Sequence, residues 1–375
     1  MMAVKRGTGS DRRAGRRGTA PGVLMALLAI GCDSAPPAPL SYSQQVDALF
    51  AELAEGVQPG AAVMVIQDGE IVHRAGYGYA NVEDRRLIDA DTAFRLASVS
   101  KQFTAMAVML LAEDGRLAYD DPVSRHLPSL ESFPGVTIRH LMTHTGGLPE
   151  YYDVIDTSGG MPTNADALAL LSTLGGTVFV PGERYEYSNP GYDMLAPLVA
   201  SVAGRDFAAF MRERIFSPLS MNGTLVHDHT RPEVPRRATG YRPDEHGSSY
   251  LLDDDDPLNG IVGSGGVYST LNDLYRWDQA LYGDALVSRA TLEEAFTPAL
   301  LNDGTPSDYG FGWRIEEHEG HRRVRHGGSW VGFRTHIARC PDERFTVIIL
   351  SNRADLDPEA YVNRITAIWH GGPEA

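Results

Sequence analysis

The sequence contains almost no lysine. Of its 33 basic residues, only Lys5 and Lys101 are lysine, and the other 31 are arginine. Arginine stays protonated in proteins, whereas a lysine withdrawn from water can lose its charge and take a proton from a hydroxyl group. Chemistry that needs a basic amine is therefore excluded at every basic position except these two, and only Lys101 lies beyond the N-terminal segment.

Cysteine is as scarce, since Cys32 and Cys340 are the only two. Cys32 follows Gly31 and an apolar run at positions 23–30, an arrangement similar to the lipidation site of bacterial lipoproteins. If Cys32 is lipidated, Cys340 alone remains as a thiol, and a disulfide within one chain is excluded.

Residues 1–31 lack an apolar run long enough to span a bilayer, but they place six basic residues before the run at 23–30, as export signals do. We predict an export signal peptide over 1–31, a tether over 32–41 and a folded domain over 42–372. The expected location is the periplasm or cell envelope, with membrane attachment only through a lipid on Cys32.

The chain carries a formal net charge of -16. Residues 1–31 hold six basic residues against Asp11, so the remainder carries about -21. This charge argues against nucleic acid and anionic membrane surfaces as partners of the folded part, and we expect a small-molecule or peptide substrate. The four carboxylates at 253–256 lack the spacing and the glycine of a calcium loop, so we predict a solvated loop there and no metal.

The hydrophobic pattern predicts an α+β fold. A helix over 42–55 precedes two strands that flank the turn dipeptide Asp68-Gly69. Helical patterns fill the middle of the chain, and strand patterns return near its end. The expected strands cover 61–67, 71–78, 309–316, 322–325, 335–338 and 345–351. We therefore predict an antiparallel sheet built from N- and C-terminal strands, flanked by helices, with an inserted, mostly helical region.

Ser98 and Lys101 open an apolar run that has the spacing of a buried helix. Residues three apart on a helix lie on one face, so the amine can reach the hydroxyl. We predict that Ser98 is a nucleophile and that Lys101 is its base. A surface serine beside a surface lysine is the alternative interpretation.

Two later stretches contain candidate partners for this pair. Tyr187 and Asn189 are separated by one residue in a predicted extended loop, where a tyrosine could move a proton and an amide could hold a substrate carbonyl or orient Lys101. A turn before a helix is the alternative there.

The second stretch is His326-Gly327-Gly328-Ser329, between strand candidates. Two glycines in a strand indicate close approach by a ligand or another backbone, and His326 could donate to substrate or to Tyr187. A glycine-rich bulge with an exposed histidine is the alternative.

Together the three stretches resemble the active-site motifs of the serine β-lactamase and penicillin-binding-protein superfamily, namely Ser-x-x-Lys, Tyr-x-Asn and a Lys/His-Thr/Gly-Gly strand. The surrounding sequence is similar to the branch that includes class C β-lactamases, esterases, D-aminopeptidases and D,D-peptidases. The resemblance covers residues 42–372 and implies a β-lactamase/transpeptidase-like fold. The similar segments are 94–101, 141–149, 265–270 and 326–328.

The resemblance also implies roles for individual residues. Ser98 would be the acylated nucleophile, Lys101 its proton acceptor and Tyr187 the acid/base partner, while Asn189 would contact both substrate and Lys101. The oxyanion hole would use the backbone N–H groups of Ser98 and Ser329, and His326, Gly327 and Gly328 would belong to the substrate-binding strand. The mechanism requires no metal or cofactor.

His326 stands where β-lactamases usually have lysine, and it is a weaker cation for a β-lactam carboxylate. The predicted function is an exported serine hydrolase that cleaves an ester or amide, whether a β-lactam, a D-amino-acid peptide or a small ester. The alternative is a non-catalytic penicillin- or peptidoglycan-binding sensor domain of the same fold. Other hydrolase classes are disfavoured, because the sequence has no Gly-x-Ser-x-Gly and His318-Glu319-Gly320-His321 has the wrong spacing for a zinc helix.

Overall fold

The computed structural model describes residues 40–228 and 233–371. The predicted signal peptide, Cys32 and most of the predicted tether lie outside the described residues. Within the described part, no single helix combines the length and the hydropathy needed to cross a membrane.

Ten α-helices and thirteen strands are found in the described part. The helices are α1 (Tyr42–Leu49), α2 (Lys101–Glu113), α3 (Val123–His126), α4 (Ile138–Met142), α5 (Asn164–Leu174), α6 (Asn189–Ala203), α7 (Phe207–Met211), α8 (Leu271–Ala280), α9 (Arg289–Ala295) and α10 (Pro358–Trp369). The strands are β1 (Ala61–Gln67), β2 (Glu70–Tyr77), β3 (Tyr79–Asn81), β4 (Arg86–Leu87), β5 (Phe94–Arg95), β6 (Leu225–Val226), β7 (Tyr241–Pro243), β8 (Tyr250–Leu252), β9 (Val267–Ser269), β10 (Arg314–His318), β11 (His321–Trp330), β12 (Phe333–Cys340) and β13 (Phe345–Ser351).

The main sheet joins the two ends of the chain, as predicted. Its six antiparallel strands follow the order β10-β11-β12-β13-β1-β2, and β1 pairs with β13 in the register Ala61↔Ser351. The hairpin from β1 to β2 turns at Asp68 and Gly69, which both have positive φ, as a two-residue hairpin turn requires.

Helices cover both faces of this sheet. Val63 and Val65 of β1 belong to the hydrophobic cluster that includes buried residues of α1 and α10, whereas Ala62 and Met64 belong to the larger cluster that includes α2 and α6. Because successive residues of a strand face opposite sides, both faces of β1 are buried, which explains its continuous apolar sequence.

The predicted strands near the end of the chain differ from the observed ones in two places. Tyr309 forms only an isolated bridge with Arg314, residues 310–313 are irregular, and the strand begins at Arg314. Gly312 has a φ of 82° and packs so closely on the start of α2 that a Cβ there would lie 2.9 Å from the Lys101 carbonyl oxygen. Strand β11 is longer than predicted, so the stretch 326–329 lies within a strand and not between strands.

A buried ion pair fixes α8 to the sheet, and it yields a stability prediction. Asp278 and Arg339 are fully buried, and the Asp278 Oδ1 accepts hydrogen bonds from the Arg339 Nε at 2.6 Å and the Thr346 Oγ1 at 2.8 Å. The substitution Asp278→Ala leaves the arginine charge unpaired, so we expect the free energy of unfolding in urea to fall by about 3–5 kcal/mol.

The matched control is Glu213→Gln, which removes one partner of an exposed ion pair with Arg205. We expect that change to cost no more than about 1 kcal/mol. A loss of the same size in both variants would show that the buried ion pair contributes no more to the free energy of unfolding than the exposed one.

Candidate active site

Ser98 lies at the start of the most buried helix. Strand β5 pairs with β9, and the chain then forms a single 3₁₀ turn over Ala97–Ser100 before α2 begins at Lys101. Ala97 has a φ of 49°, an uncommon conformation for a residue with a side chain. The turn leaves Ser98 half-buried in the wall of a cavity of about 380 Å³ that Asn189 and Ser329 also line.

Lys101 is fully buried, and three oxygen atoms surround its amine. The Nζ lies 3.2 Å from the Ser98 Oγ, 2.9 Å from the Asn189 Oδ1 and 3.0 Å from the Ser264 carbonyl oxygen. Burial lowers the pKa of Lys101 to about 7, although the nearby carboxylates of Asp193 and Glu150 raise it. A large fraction of the amine is therefore neutral near neutral pH.

The geometry around Lys101 suits the neutral amine. The Asn189 Oδ1 and the Ser264 carbonyl can only accept hydrogen bonds, so they use the two N–H groups of a neutral amine. In the ammonium form the third N–H donates to the Ser98 Oγ, whereas in the neutral form the lone pair faces the Ser98 hydroxyl, the one neighbour of the three that carries a proton. The arrangement can accept the Ser98 proton.

Tyr187 is the third member of this group. Its ring centroid lies 4.8 Å from the Lys101 Nζ and 4.3 Å from that of His144. Desolvation raises the pKa of Tyr187 above its ordinary value, and interactions with Ser98 and Arg314 oppose that shift without cancelling it. Tyr187 is therefore a phenol at neutral pH and can donate a proton.

The segment around Asn189 corrects one prediction. The extended loop expected over Tyr187–Asn189 ends at Ser188 and α6 begins at Asn189, because the extended Ser188 is the N-cap and accepts a hydrogen bond from the Gly191 N–H at 3.3 Å. Asn189 is thus the first residue of a helix, which gives its amide a fixed position beside Lys101.

Gly328 brings β11 against the Ser98 turn. A Cβ at Gly328 would lie 2.2 Å from the Leu96 carbonyl oxygen and 2.3 Å from the Thr335 Oγ1. The two glycines predicted close approach by a ligand or by another backbone. At Gly328 it is the backbone at Leu96 that comes close. Gly327, by contrast, has only ordinary contacts, the nearest at 3.4 Å from the His336 Nδ1.

His326 does not have the expected role. It is buried, its Nδ1 lies 2.7 Å from the Gly327 carbonyl oxygen, and its Nε2 lies 2.8 Å from the Tyr309 hydroxyl. The carbonyl can only accept, so Nδ1 carries the proton and Nε2 accepts from Tyr309. Burial and the nearby Lys101 hold the pKa of His326 well below its ordinary value. His326 therefore presents no charge to substrate or to Tyr187, because burial keeps the ring neutral. It also presents no free N–H, because Gly327 and Tyr309 occupy both ring nitrogens.

Asp193 is a residue of the site that the sequence reasoning missed. It is fully buried in α6 and accepts hydrogen bonds from the Tyr151 hydroxyl at 2.7 Å, the Tyr152 hydroxyl at 3.0 Å and the Ser264 N–H at 3.3 Å. Burial raises the pKa of Asp193 to about 6, although the hydrogen bonds and the charge of Lys101 lower it. The sequence contained an indication that Asp193 is buried for a purpose, because it is the one acidic residue in the mostly apolar sequence of α6.

His144 is the second missed residue. Its Nδ1 accepts a hydrogen bond from the Ser188 N–H at 3.0 Å, so its proton lies on Nε2, which has no partner among the described residues. Burial holds the pKa of His144 well below its ordinary value. A neutral His144 fixes both the N-terminus of α6 and the ring of Tyr187.

The sheet of both chain ends and the helical insertion have the arrangement of the β-lactamase-type serine hydrolases. The Beta-lactamase family model matches residues 46–368, and the chain belongs to that family.

Known relatives carry related names. The chain is 39% identical over 326 residues to a penicillin-binding protein of Bacillus subtilis (strain 168), a match that covers 83% of this chain and 72% of that protein. It is 30% identical over 324 residues to a D-aminopeptidase of Gluconobacter oxydans (strain 621H), covering 83% of this chain but 59% of that protein, so it spans less than two thirds of the peptidase. Among solved structures, the octameric penicillin-binding protein homologue from Pyrococcus abyssi superposes with a TM-score of 0.77 at 27% identity, over 88% of this chain and 78% of that one.

The two adjacent glycines provide a matched test of the site's packing. The substitution Gly328→Ala forces β11 away from Leu96 and the Ser98 turn, so we expect a loss of about 1–3 kcal/mol in the free energy of unfolding and a fall in ester turnover of at least about tenfold. The control Gly327→Ala has room for its methyl group, so its unfolding free energy should change by no more than about 1 kcal/mol. Equal losses in the two variants would contradict the close approach at Gly328.

Proposed function

We propose that this chain is an exported serine hydrolase that forms an acyl-enzyme on Ser98, with residues 1–31 directing export and Cys32 as a lipid anchor. The observation that carries the catalytic proposal is the buried Lys101 amine, whose two N–H groups are used by the Asn189 amide oxygen and the Ser264 carbonyl. Its lone pair is thereby left for the Ser98 hydroxyl at 3.2 Å.

In the acylation step, the Ser98 Oγ attacks the substrate carbonyl carbon while its proton passes to the Lys101 Nζ. The negative charge that develops on the carbonyl oxygen is stabilised by the backbone N–H groups of Ser98 and Ser329. Tyr187, a phenol near Lys101, donates a proton to the leaving group and recovers one from Lys101. The bond to the leaving group breaks, and an ester of Ser98 remains.

In the deacylation step, a water molecule attacks the ester carbonyl and gives its proton to the neutral Lys101 amine, which returns a proton to the Ser98 Oγ. The Ser98 Oγ leaves with a proton and the acid is released, so the enzyme returns to its starting state. Asp193 lies behind Lys101 and acts on it through its negative charge, which opposes the loss of charge that burial causes.

The preferred substrate is an ester or a D-amino-acid amide. The support is the state of His326, which has no charge for the carboxylate of a β-lactam, together with the 30% identity to a D-aminopeptidase. We expect β-lactams to acylate Ser98 and to turn over slowly.

The catalytic proposal is tested by labelling. A fluorophosphonate probe should modify the wild-type chain at Ser98, as located by mass spectrometry, because it reacts with a serine whose proton a base removes. The Ser98→Ala variant should not be labelled, and Ser100→Ala, which removes a serine two residues away, should keep the label on Ser98. An unmodified Ser98 under conditions that label a control esterase would refute the proposal, and steady-state turnover of 4-nitrophenyl acetate separates an enzyme from a silent sensor domain.

The role of Lys101 is tested by pH. Since the reaction needs the neutral amine and its pKa is lowered to about 7, kcat/KM should be low at pH 5 and should rise through about pH 7 to a plateau. The Lys101→Arg variant keeps a charge that cannot be lost near neutral pH, so its turnover should fall by more than about a thousandfold. Turnover within tenfold of wild type, or a rate that is flat from pH 5 to pH 9, would exclude Lys101 as the base.

A further inference from the structure

Arg95 is a buried arginine whose charge no described acidic residue balances. It is 4% exposed, and its Nε makes no hydrogen bond. Across residues 40–228 and 233–371, its guanidinium group forms no ion pair, whereas the buried Arg323 and Arg339 each have a carboxylate partner. The guanidinium carbon of Arg95 lies 5.8 Å from the centroid of the Tyr268 ring, but this contact does not neutralise the charge. A buried charge without an ion-pair partner is destabilising, so an anionic partner from outside the described chain is indicated.

The position of Arg95 connects it to the catalytic serine. It lies in β5, three residues before Ser98, and its backbone pairs with Tyr268 of β9. Its side chain lines the cavity of about 380 Å³ that contains Ser98, and it also lines a second cavity of about 500 Å³. The two cavities therefore share Arg95, and a substrate held at Ser98 can present a second group to it.

The other charged groups of the second cavity already have partners or contact solvent. Arg237 pairs with Asp254 at 2.5 Å and donates to the Tyr268 hydroxyl at 3.2 Å. Asp255 is exposed. Burial, Arg237 and Arg95 all lower the pKa of His227, so this histidine is neutral. Of the charged side chains in this wall, Asp255 is exposed to solvent, so Arg95 is the buried one that has no ion pair among the described residues.

We propose that Arg95 binds a carboxylate of the substrate, at a distance from the bond that is cleaved. The proposal rests on the serine hydrolase function proposed above and adds a substrate class, that of peptide-like or ester compounds with a second, anionic group. A guanidinium group matches a carboxylate with two parallel hydrogen bonds. Arg95 thereby supplies the anion recognition that the neutral His326 lacks, and the second cavity has room for the group that carries the carboxylate.

The test compares matched substrates that differ only in charge. The first pair carries the carboxylate on the acyl side, as the 4-nitrophenyl monoester of glutaric acid against its methyl-capped diester. The second pair carries it on the leaving group, as acetylated 4-hydroxybenzoate against its methyl ester. We expect the wild-type kcat/KM to favour the charged member of at least one pair by about tenfold or more.

The variant Arg95→Gln should lower this charged-to-neutral ratio by about tenfold, and Arg95→Lys, which keeps a charge but loses the planar fork, should give an intermediate ratio. The control Arg289→Gln removes an exposed arginine of α9 and should leave the ratio unchanged. Because the readout is a ratio of two kcat/KM values, a general loss of activity does not change it. If Arg95→Gln does not fold, the ratios of the wild type and of Arg95→Lys test the proposal.

A wild-type ratio near one in both pairs would overturn the proposal, as would a preference that both Arg95 variants retain in full. In either case, turnover of the neutral esters would still support the hydrolase function. Failure to cleave any of the four esters, with Ser98 unlabelled by the fluorophosphonate, would instead overturn the proposed function itself.

Discussion

The candidate site depends on the desolvation of one primary amine. Lys101 opens a helix in which every residue from Lys101 to Leu111 is buried. In water the same amine would hold its proton at neutral pH and could not take another. The packing of α2 against α6 therefore lowers the pKa of this amine, and two hydrogen-bond acceptors fix its position beside Ser98.

The same exclusion of water shifts the pKa values of the neighbouring groups. Asp193 and Lys101 are both buried, and burial moves their pKa values towards each other, to about 6 and about 7. Two tyrosine hydroxyls and a backbone N–H nevertheless stabilise the carboxylate, while His144 and His326 stay neutral because burial and the nearby Lys101 lower their pKa values. The site thus contains several titratable side chains but little net charge, which suits a reaction in which a proton moves among Ser98, Lys101 and Tyr187.

Local signals explain which parts of this structure could be predicted from the sequence. The Asp68-Gly69 hairpin and the strand over Phe345–Ser351 were predicted from turn chemistry and periodicity, and the sheet of both chain ends followed from them. The proximity of Ser98 and Lys101 followed from helical spacing alone. The burial of His326, the continuity of β11 and the contacts of Asp193 depend on residues distant in sequence, so no local pattern could reveal them. Ser188 is an intermediate case. Serine is a common N-cap, so the start of α6 could have been predicted from the sequence, but the sequence analysis placed this residue inside an extended loop.

Gly328 has a further consequence, which concerns the time at which activity appears. The Thr335 hydroxyl donates a hydrogen bond to the Leu96 carbonyl across 239 residues of sequence, and Gly328 of β11 lies beside this hydrogen bond at a point where a side chain would collide with both atoms. The wall of the cavity opposite Ser98 therefore comes from the last strands to be synthesised. Contacts between such distant segments form late, because the intervening chain must first lose its conformational freedom. A chain that is still emerging from the ribosome contains Ser98 and Lys101 but lacks the strand that completes the cavity, so the cavity is complete only when the C-terminal strands have been made and have paired.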